Sequence, residues 1–177
     1  MSRLIILFIS IYSISISYGY SMERKVGDVL QLALPITAIS STYYMNDYNG
    51  FKSFMKSYLV TITMTYLIKE STHKLRPDGS DYLSFPSGHT SSAFAGASFV
   101  HFRYGFNYSI PLYLFASFTG YSRVESKKHY IEDVVAGAGL AVLSSWYFTT
   151  PYSEKYSVNL NYNQNTKTVR LFFSKLF

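Results

Sequence analysis

An all-α bundle of five to six helices, membrane-embedded and carrying a small C-terminal β-hairpin, is the fold the sequence predicts. Three observations carry this reading. The 177-residue chain alternates long apolar runs with short polar breaks. None of the runs keeps the strict alternation of a half-buried strand, and each is long enough for a helix. The last stretch, from about residue 153 to 177, does alternate with period two and is read apart from the rest.

The elements follow in order. Residues 1–19 begin "MSRLIILFISIYSISISYG", one arginine before a charge-free apolar stretch that ends in small residues. That is the pattern of a secretory signal peptide or an N-terminal anchor, and cleavage is expected after Gly19. Residues 20–152 form the main domain, with apolar runs at about 26–45, 54–68, 90–104, 108–122 and 131–148. The breaks carry Asp47, Asn49 and Gly50, then Arg76 to Gly79, then Gly105 and Asn107, then Lys127 and Lys128. The runs are shorter than a membrane helix prefers and are dotted with Ser, Thr and Tyr. Two arrangements fit: a tight membrane bundle with its hydroxyls facing inward, or a periplasmic bundle leaning on a membrane. In the tail, Val158, Leu160 and Tyr162 alternate, as do Val169, Leu171 and Phe173, with Asn163 to Asn165 between them.

Composition narrows the function classes. The net charge of +6 favours an anionic partner, but the basic residues are scattered, which argues against nucleic acid. There is no cysteine, hence no disulfide framework and no thiolate metal site. Tyr (18) and Phe (14) are so frequent that many apolar faces carry polar tips, as suits a water–lipid boundary.

The chemistry-bearing residues sit at the breaks. In "SFPSGHTSSAFAG", Ser87 is a good N-cap for a helix starting near His89, and Gly88 lets backbone approach a ligand. The free amides and dipole of such a helix start attract an anion. Upstream, "KESTHKLRP" brings Lys69 and, after six intervening residues, Arg76, kept out of helix by Pro77. Downstream, "SRVESKKHYIED" brings Ser122, Arg123, His129 and Asp133. If residues 129–133 are a helical turn, His129 and Asp133 share a face, and the carboxylate can orient the imidazole. His73 reads as a capping or solvated residue, His101 as interfacial, and Tyr130 and Trp146 as packing. Glu125, Lys127 and Lys128 read as a solvated loop or a head-group contact.

Together these pieces resemble the type 2 phosphatidic acid phosphatase superfamily, which also holds vanadium-dependent haloperoxidases and class A acid phosphatases. The family pattern is Lys, six residues, Arg-Pro; then Pro-Ser-Gly-His; then Ser-Arg, five residues, His, three residues, Asp. All three pieces are complete here, at Lys69–Pro77, Pro86–His89 and Ser122–Asp133. The resemblance covers about residues 26–150. It implies His129 as nucleophile, Asp133 as its orienting carboxylate and His89 as general acid and then base. Lys69, Arg76, Ser87, Gly88 and Arg123 are implied as phosphate ligands, with no metal and no cofactor.

The function expected is a metal-independent phosphatase acting on a lipid phosphate or pyrophosphate. Phosphatidate, phosphatidylglycerol phosphate, undecaprenyl pyrophosphate and phosphorylated lipid A all present the same group. A soluble periplasmic acid phosphatase for small esters is the alternative. The expected place is a bacterial-type cell envelope, in the inner membrane with the site facing the periplasm. The expected partners are the lipid substrate and the membrane, with no nucleic acid.

Overall fold

The computed structural model describes the backbone of residues 2–153, 155–163 and 168–176, and the side chains of residues 22–153. Five helices carry the domain: α1 (Ser2–Tyr44), α2 (Tyr48–Thr72), α3 (Gly88–Tyr104), α4 (Phe106–Glu125) and α5 (Ile131–Phe148). Each apolar run lies inside one helix, so the all-α bundle expected from the sequence is the fold observed. The backbone of α1 runs on without a break at Gly19. The signal or anchor expected at 1–19 lies outside the residues whose side chains are described. Past Ser153 the backbone is traced as two antiparallel strands, Lys155–Asn163 and Thr168–Leu176. The side chains of the expected hairpin lie outside the described ones.

The central helix is α3, which packs on each of the other four. Its sequence explains why. Thr90 to Ser98 is almost entirely small or hydroxylated, and nearly all of it is buried. Small residues let helix backbones approach closely, and their hydroxyls find carbonyl or hydroxyl partners inside. Thr65 Oγ1 donates to Ser91 Oγ at 3.0 Å, and the Tyr58 and Ser92 hydroxyls meet at 2.9 Å. Larger apolar groups fill two patches, one around Leu34, Ala93, Ala97 and Ala116, the other around Ala38, Phe54, Phe99 and Val100. Burying Phe54 or Phe99 stabilises by about 1.5–3 kcal/mol each.

The docking of α1 on α3 depends on a proline. Pro35 has no N–H, so the carbonyl four residues earlier, Gln31 O, has no helical partner. Ser92 Oγ donates to that carbonyl at 2.7 Å. Beside it, Gly96 leaves room for the α1 backbone: a Cβ there would come within 2.5 Å of Leu34 O and 2.8 Å of Pro35 N.

The outer faces are the apolar ones. Val29, Leu32, Leu59, Leu67, Leu114, Leu143 and Trp146 are all exposed. Trp146 therefore does not pack as its sequence context suggests, because it points off the outer face of α5. Among the described residues, no helix is long and apolar enough to cross a membrane. The expected embedding thus has no support from apolar spans, for the reason visible in the sequence: hydroxyls interrupt every run.

Candidate active site

Alternating helix directions bring the C-terminal ends of α2 and α4 and the N-terminal ends of α3 and α5 to one end of the bundle. All three sequence motifs lie there. The loop after α2 starts with His73, whose left-handed backbone (φ 44°) ends the helix while its amide bonds Lys69 O; the capping reading of His73 holds. Arg76 to Gly79 then form a tight turn, Gly79 N donating to Arg76 O at 3.0 Å, with Gly79 at φ 71°. Asp78 N bonds Lys127 O, which ties this loop to the one before α5. Ser87 caps α3 as expected, its Oγ accepting from Thr90 N at 3.5 Å and Thr90 Oγ1 at 3.0 Å.

A cavity of about 430 Å³ opens at this end, and Lys69, Arg76, Gly88, His89 and His129 all line it. Arg123, Asp133 and Ser87 stand just behind as buried supports. Lys69 Nζ donates to Leu83 O and Pro86 O, both at 2.7 Å, which leaves one of its three donors for a ligand. Burial, reinforced by Arg76, lowers its pKa to about 8. Arg76 is held by its Nε on Asp81 at 2.6 Å, while Nη1 makes only long contacts, 3.4 Å to Lys128 O and 3.5 Å to His129 Nε2. Arg123 donates from Nη2 to Arg24 O at 2.7 Å and from Nη1 to Asp28 at 2.8 Å.

His129 departs from expectation. It sits in the loop, not on a helix; α5 starts at Ile131 with Tyr130 as N-cap. Asp133 occupies the third helical position, and its Oδ2 reaches back to Tyr130 N at 2.9 Å, as an acidic residue there commonly does. Oδ2 also accepts from Ser84 Oγ at 2.5 Å, and Oδ1 from Lys74 Nζ at 2.7 Å. His129 Nδ1 is left 3.7 Å from Oδ2 and without a hydrogen-bond partner. Helical proximity was the wrong reason for the pairing: the loop brings the two groups near, and the cap holds the carboxylate back.

Protonation follows from burial and charge. Burial, then Arg76 and Lys69, lowers the His129 pKa well below 6.5. The imidazole is thus neutral in ordinary solution. Arg76 Nη1 can only donate, so Nε2 presents a lone pair toward the cavity. Burial, then Arg123, pushes His89 down to about 4, against the pull of Asp28. Burial works to raise Asp133, but hydrogen bonds from Lys74, Ser84 and the Tyr130 amide prevail and keep it ionised.

Two residues in this cluster lie outside the three sequence motifs. Lys74 bridges Glu132 and Asp133, both at 2.7 Å, under the ring of Tyr130 at 4.4 Å. Asp28, from α1, accepts from His89 Nε2 at 2.9 Å. Lys128 pairs with Asp78, and His101 Nδ1 meets Tyr113 Oη at 3.0 Å, away from the site. Among the described residues no group of three His, Asp or Glu side chains is gathered for a metal. A larger cavity of about 570 Å³, lined by Thr37, Tyr44, Tyr104, Tyr108 and Tyr152, lies at the opposite end and has no cation in its walls.

A neutral imidazole facing a cavity walled by cations and a helix start can attack an electrophilic phosphorus while its oxygens are held. The comparisons agree in kind. The family model described as the PAP2 superfamily matches residues 4–156. A lipid A 4'-phosphatase of Helicobacter pylori is 32% identical over 151 residues, 79% of this chain and 76% of that protein. A lipid A 1-phosphatase of Porphyromonas gingivalis is 46% identical over 78 residues, 42% of this chain; the match spans only 18% of that longer protein. An undecaprenyl-diphosphatase of Bacillus subtilis is 32% identical over 104 residues, covering 56% of this chain and 52% of its own length. The crystal structure of Aquifex aeolicus LpxE superposes with a TM-score of 0.58 at 19% identity, over 72% of this chain and 81% of that one, a likeness of fold.

Proposed function

The chain belongs to the PAP2 superfamily, and from that premise we propose that it is a metal-independent phosphatase hydrolysing a lipid phosphate or pyrophosphate through a phosphohistidine. One observation carries the lipid part. Leu32 and Tyr58 line both the cavity of the cations and a neighbouring apolar pocket between α1 and α2, whose other walls are Pro35, Ile36, Ile39, Phe54 and Met55. A phosphate head fits the polar end while an acyl chain enters the apolar pocket. The many exposed apolar side chains on α1, α2, α4 and α5 favour membrane association. The relatives' names, lipid A phosphatases and an undecaprenyl-diphosphatase, support the same substrate class.

In this reading Lys69, Arg76, Arg123 and the start of α3 at Ser87 and Gly88 hold the phosphoryl oxygens and the charge on them in the transition state. His129 Nε2 attacks phosphorus as the P–O bond to the leaving group breaks, and His89 gives that oxygen its proton. Asp133 closes on His129 Nδ1 as the ring becomes cationic. His89 then takes a proton from water, which attacks the phosphohistidine and frees His129. His89 must be protonated to start, and its lowered pKa opposes this; the incoming phosphate dianion supplies the negative charge that raises it.

Phosphate release from phosphatidate, phosphatidylglycerol phosphate, undecaprenyl pyrophosphate, phosphorylated lipid A and a soluble ester, by purified protein in excess EDTA, tests the proposal. Release from at least one lipid, undiminished by chelator and blocked by vanadate, is expected. Turnover of the soluble ester alone favours the small-ester reading, and EDTA inhibition reversed by a divalent cation rejects the mechanism. The site is further proposed to face away from the cytoplasm. Ser80→Cys, exposed on the site loop of this cysteine-free chain, should react with an impermeant thiol reagent in spheroplasts; labelling only after lysis reverses the topology.

A further inference from the structure

The helix that carries none of the three motifs supplies a wall of the site. Gly27 lets α1 press against α4: a Cβ there would collide with Ser122 Oγ and lie 2.9 Å from Arg123 Nη2. The next residue is Asp28. Its Oδ1 alone accepts from two of the proposed reaction groups, His89 Nε2 at 2.9 Å and Arg123 Nη1 at 2.8 Å. We propose that Asp28 is a positioning residue for the general acid, holding the His89 ring by Nε2 and supporting the charge it carries before proton transfer. The inference rests on the phosphatase reading above.

The chemistry follows from donor and acceptor roles. An ionised carboxylate only accepts, so Nε2 carries the proton toward Asp28. The transferable proton is then on Nδ1. It moves from Nδ1 to the leaving oxygen as the P–O bond breaks, and the ring stays neutral with its Nε2–H on Asp28. In the second half Nδ1 takes a proton from the attacking water. Around His89, α1 offers Asp28 and Arg24, α4 offers Arg123, the loop after α2 offers Arg76, and α2 and the loop before α5 offer Lys69 and His129. Asp28 is the one anion among these groups. Burial and the two guanidiniums already press the imidazole toward neutrality, so without Asp28 the acid form is harder to reach.

Asp28→Asn keeps shape and hydrogen-bonding atoms and removes the charge. The test compares it with Asp28→Glu and His89→Gln on two esters: the lipid phosphate turned over fastest in the panel, whose alkoxide needs a proton, and p-nitrophenyl phosphate, whose leaving group does not. For Asp28→Asn the ratio of kcat/KM, lipid over aryl, should fall about ten-fold, a fraction of a full general-acid contribution. The alkaline limb of kcat with the lipid should move to lower pH by about one unit, because losing a neighbouring anion lowers the pKa of the acid. Asp28→Glu should recover part of both, and aryl-ester turnover reports that each variant is folded. Equal loss on both esters with an unmoved limb makes Asp28 merely structural and overturns the proposal. If His89→Gln itself shows no preference between esters, the general-acid assignment falls instead. If only Asp28→Asn shows none, Asp28 alone is ruled out.

Discussion

The bundle has charged pairs at both ends, and they are built differently. At the end away from the site, Arg103 grips Asp47 through Nε and Nη2, both at 2.6 Å, and spends Nη1 on Thr150 O at 2.6 Å. Asp47 also accepts from Gly50 N and Tyr104 Oη, so burial, which works to raise its pKa, loses to these bonds. Both side chains are below 10% exposed, at 7% and 4%. At the site end, Arg76 is held through Nε alone by one oxygen of Asp81, which is 43% exposed, and its Nη1 makes only long contacts; Arg123 is fixed more fully, by Ser122 Oγ, Arg24 O and one oxygen of the equally exposed Asp28. A guanidinium satisfied all round is a fastener. One held as Arg76 is, at a single point by a carboxylate within reach of water, keeps donors for an arriving anion.

Substitutions on the two sides should separate activity from stability. The largest effect is expected from His129→Ala, at least about 10³-fold in kcat with little change in melting, since it removes the atom proposed to attack. Residual turnover of more than a few per cent would place the nucleophile elsewhere. His89→Ala should still form some phosphoenzyme from a good leaving group, visible by acid-quench labelling.

Next comes the far end. Asp47→Ala strands the buried Arg103 and should cost about 3–5 kcal/mol of stability, measured by denaturation in detergent, while kcat per folded molecule stays within about two-fold. A catalytic loss larger than the stability loss explains would make the two ends coupled, not separate.

A smaller, graded effect is expected from pH. The site-end imidazoles have folded pKa values below the ordinary 6.5, His89 at about 4. The unfolded chain therefore binds protons that the folded one refuses, so stability falls as pH drops from 6.5 toward 4. The depressed Asp47 and Asp133 carboxyls add losses of the same sign, further into acid. The acid limb of kcat/KM should likewise lie below 6.5, because in the proposed mechanism His129 attacks as the free base. A limb above 7 would mean that the imidazole is not held neutral. The smallest effect should come from Gly96→Ala: overpacking against the α1 backbone costs about 1–3 kcal/mol. It should touch the site only through the seating of α1.

Much of this was legible in the chain. The five helices follow from the spacing of apolar runs, and Lys69, Arg76, Ser87, Gly88, His89, Arg123, His129 and Asp133 all fall at one end, as motifs placed at helix breaks must. Less legible was how His129 meets Asp133. An i, i+4 spacing suggests a shared helix face, but the acidic residue three after Tyr130 is itself a helix-start signal and could have shown that the helix begins between them. Asp28 and Lys74 were missed because their meaning lies in partners more than fifty residues away. The Gly27–Asp28 pair, a flexible residue and a charge inside an apolar helix, was the available clue. The Asp47–Arg103 clasp is hidden for the same reason: 56 positions separate its halves.

The seating of α1 has a consequence for biosynthesis. Asp28 meets His89 and Arg123, which follow it by 61 and 95 positions. The notch at Gly96 and the Ser92 hydroxyl that receive α1 also belong to a later helix. α1 therefore leaves the ribosome before the groups that hold it, and its seating must wait until α3 and α4 have followed. A growing chain stopped anywhere before Arg123 has no completed phosphate cradle. If the proposed mechanism holds, the nascent chain should stay silent until His129 and Asp133 have followed as well, and the onset of activity would mark the closing of the bundle.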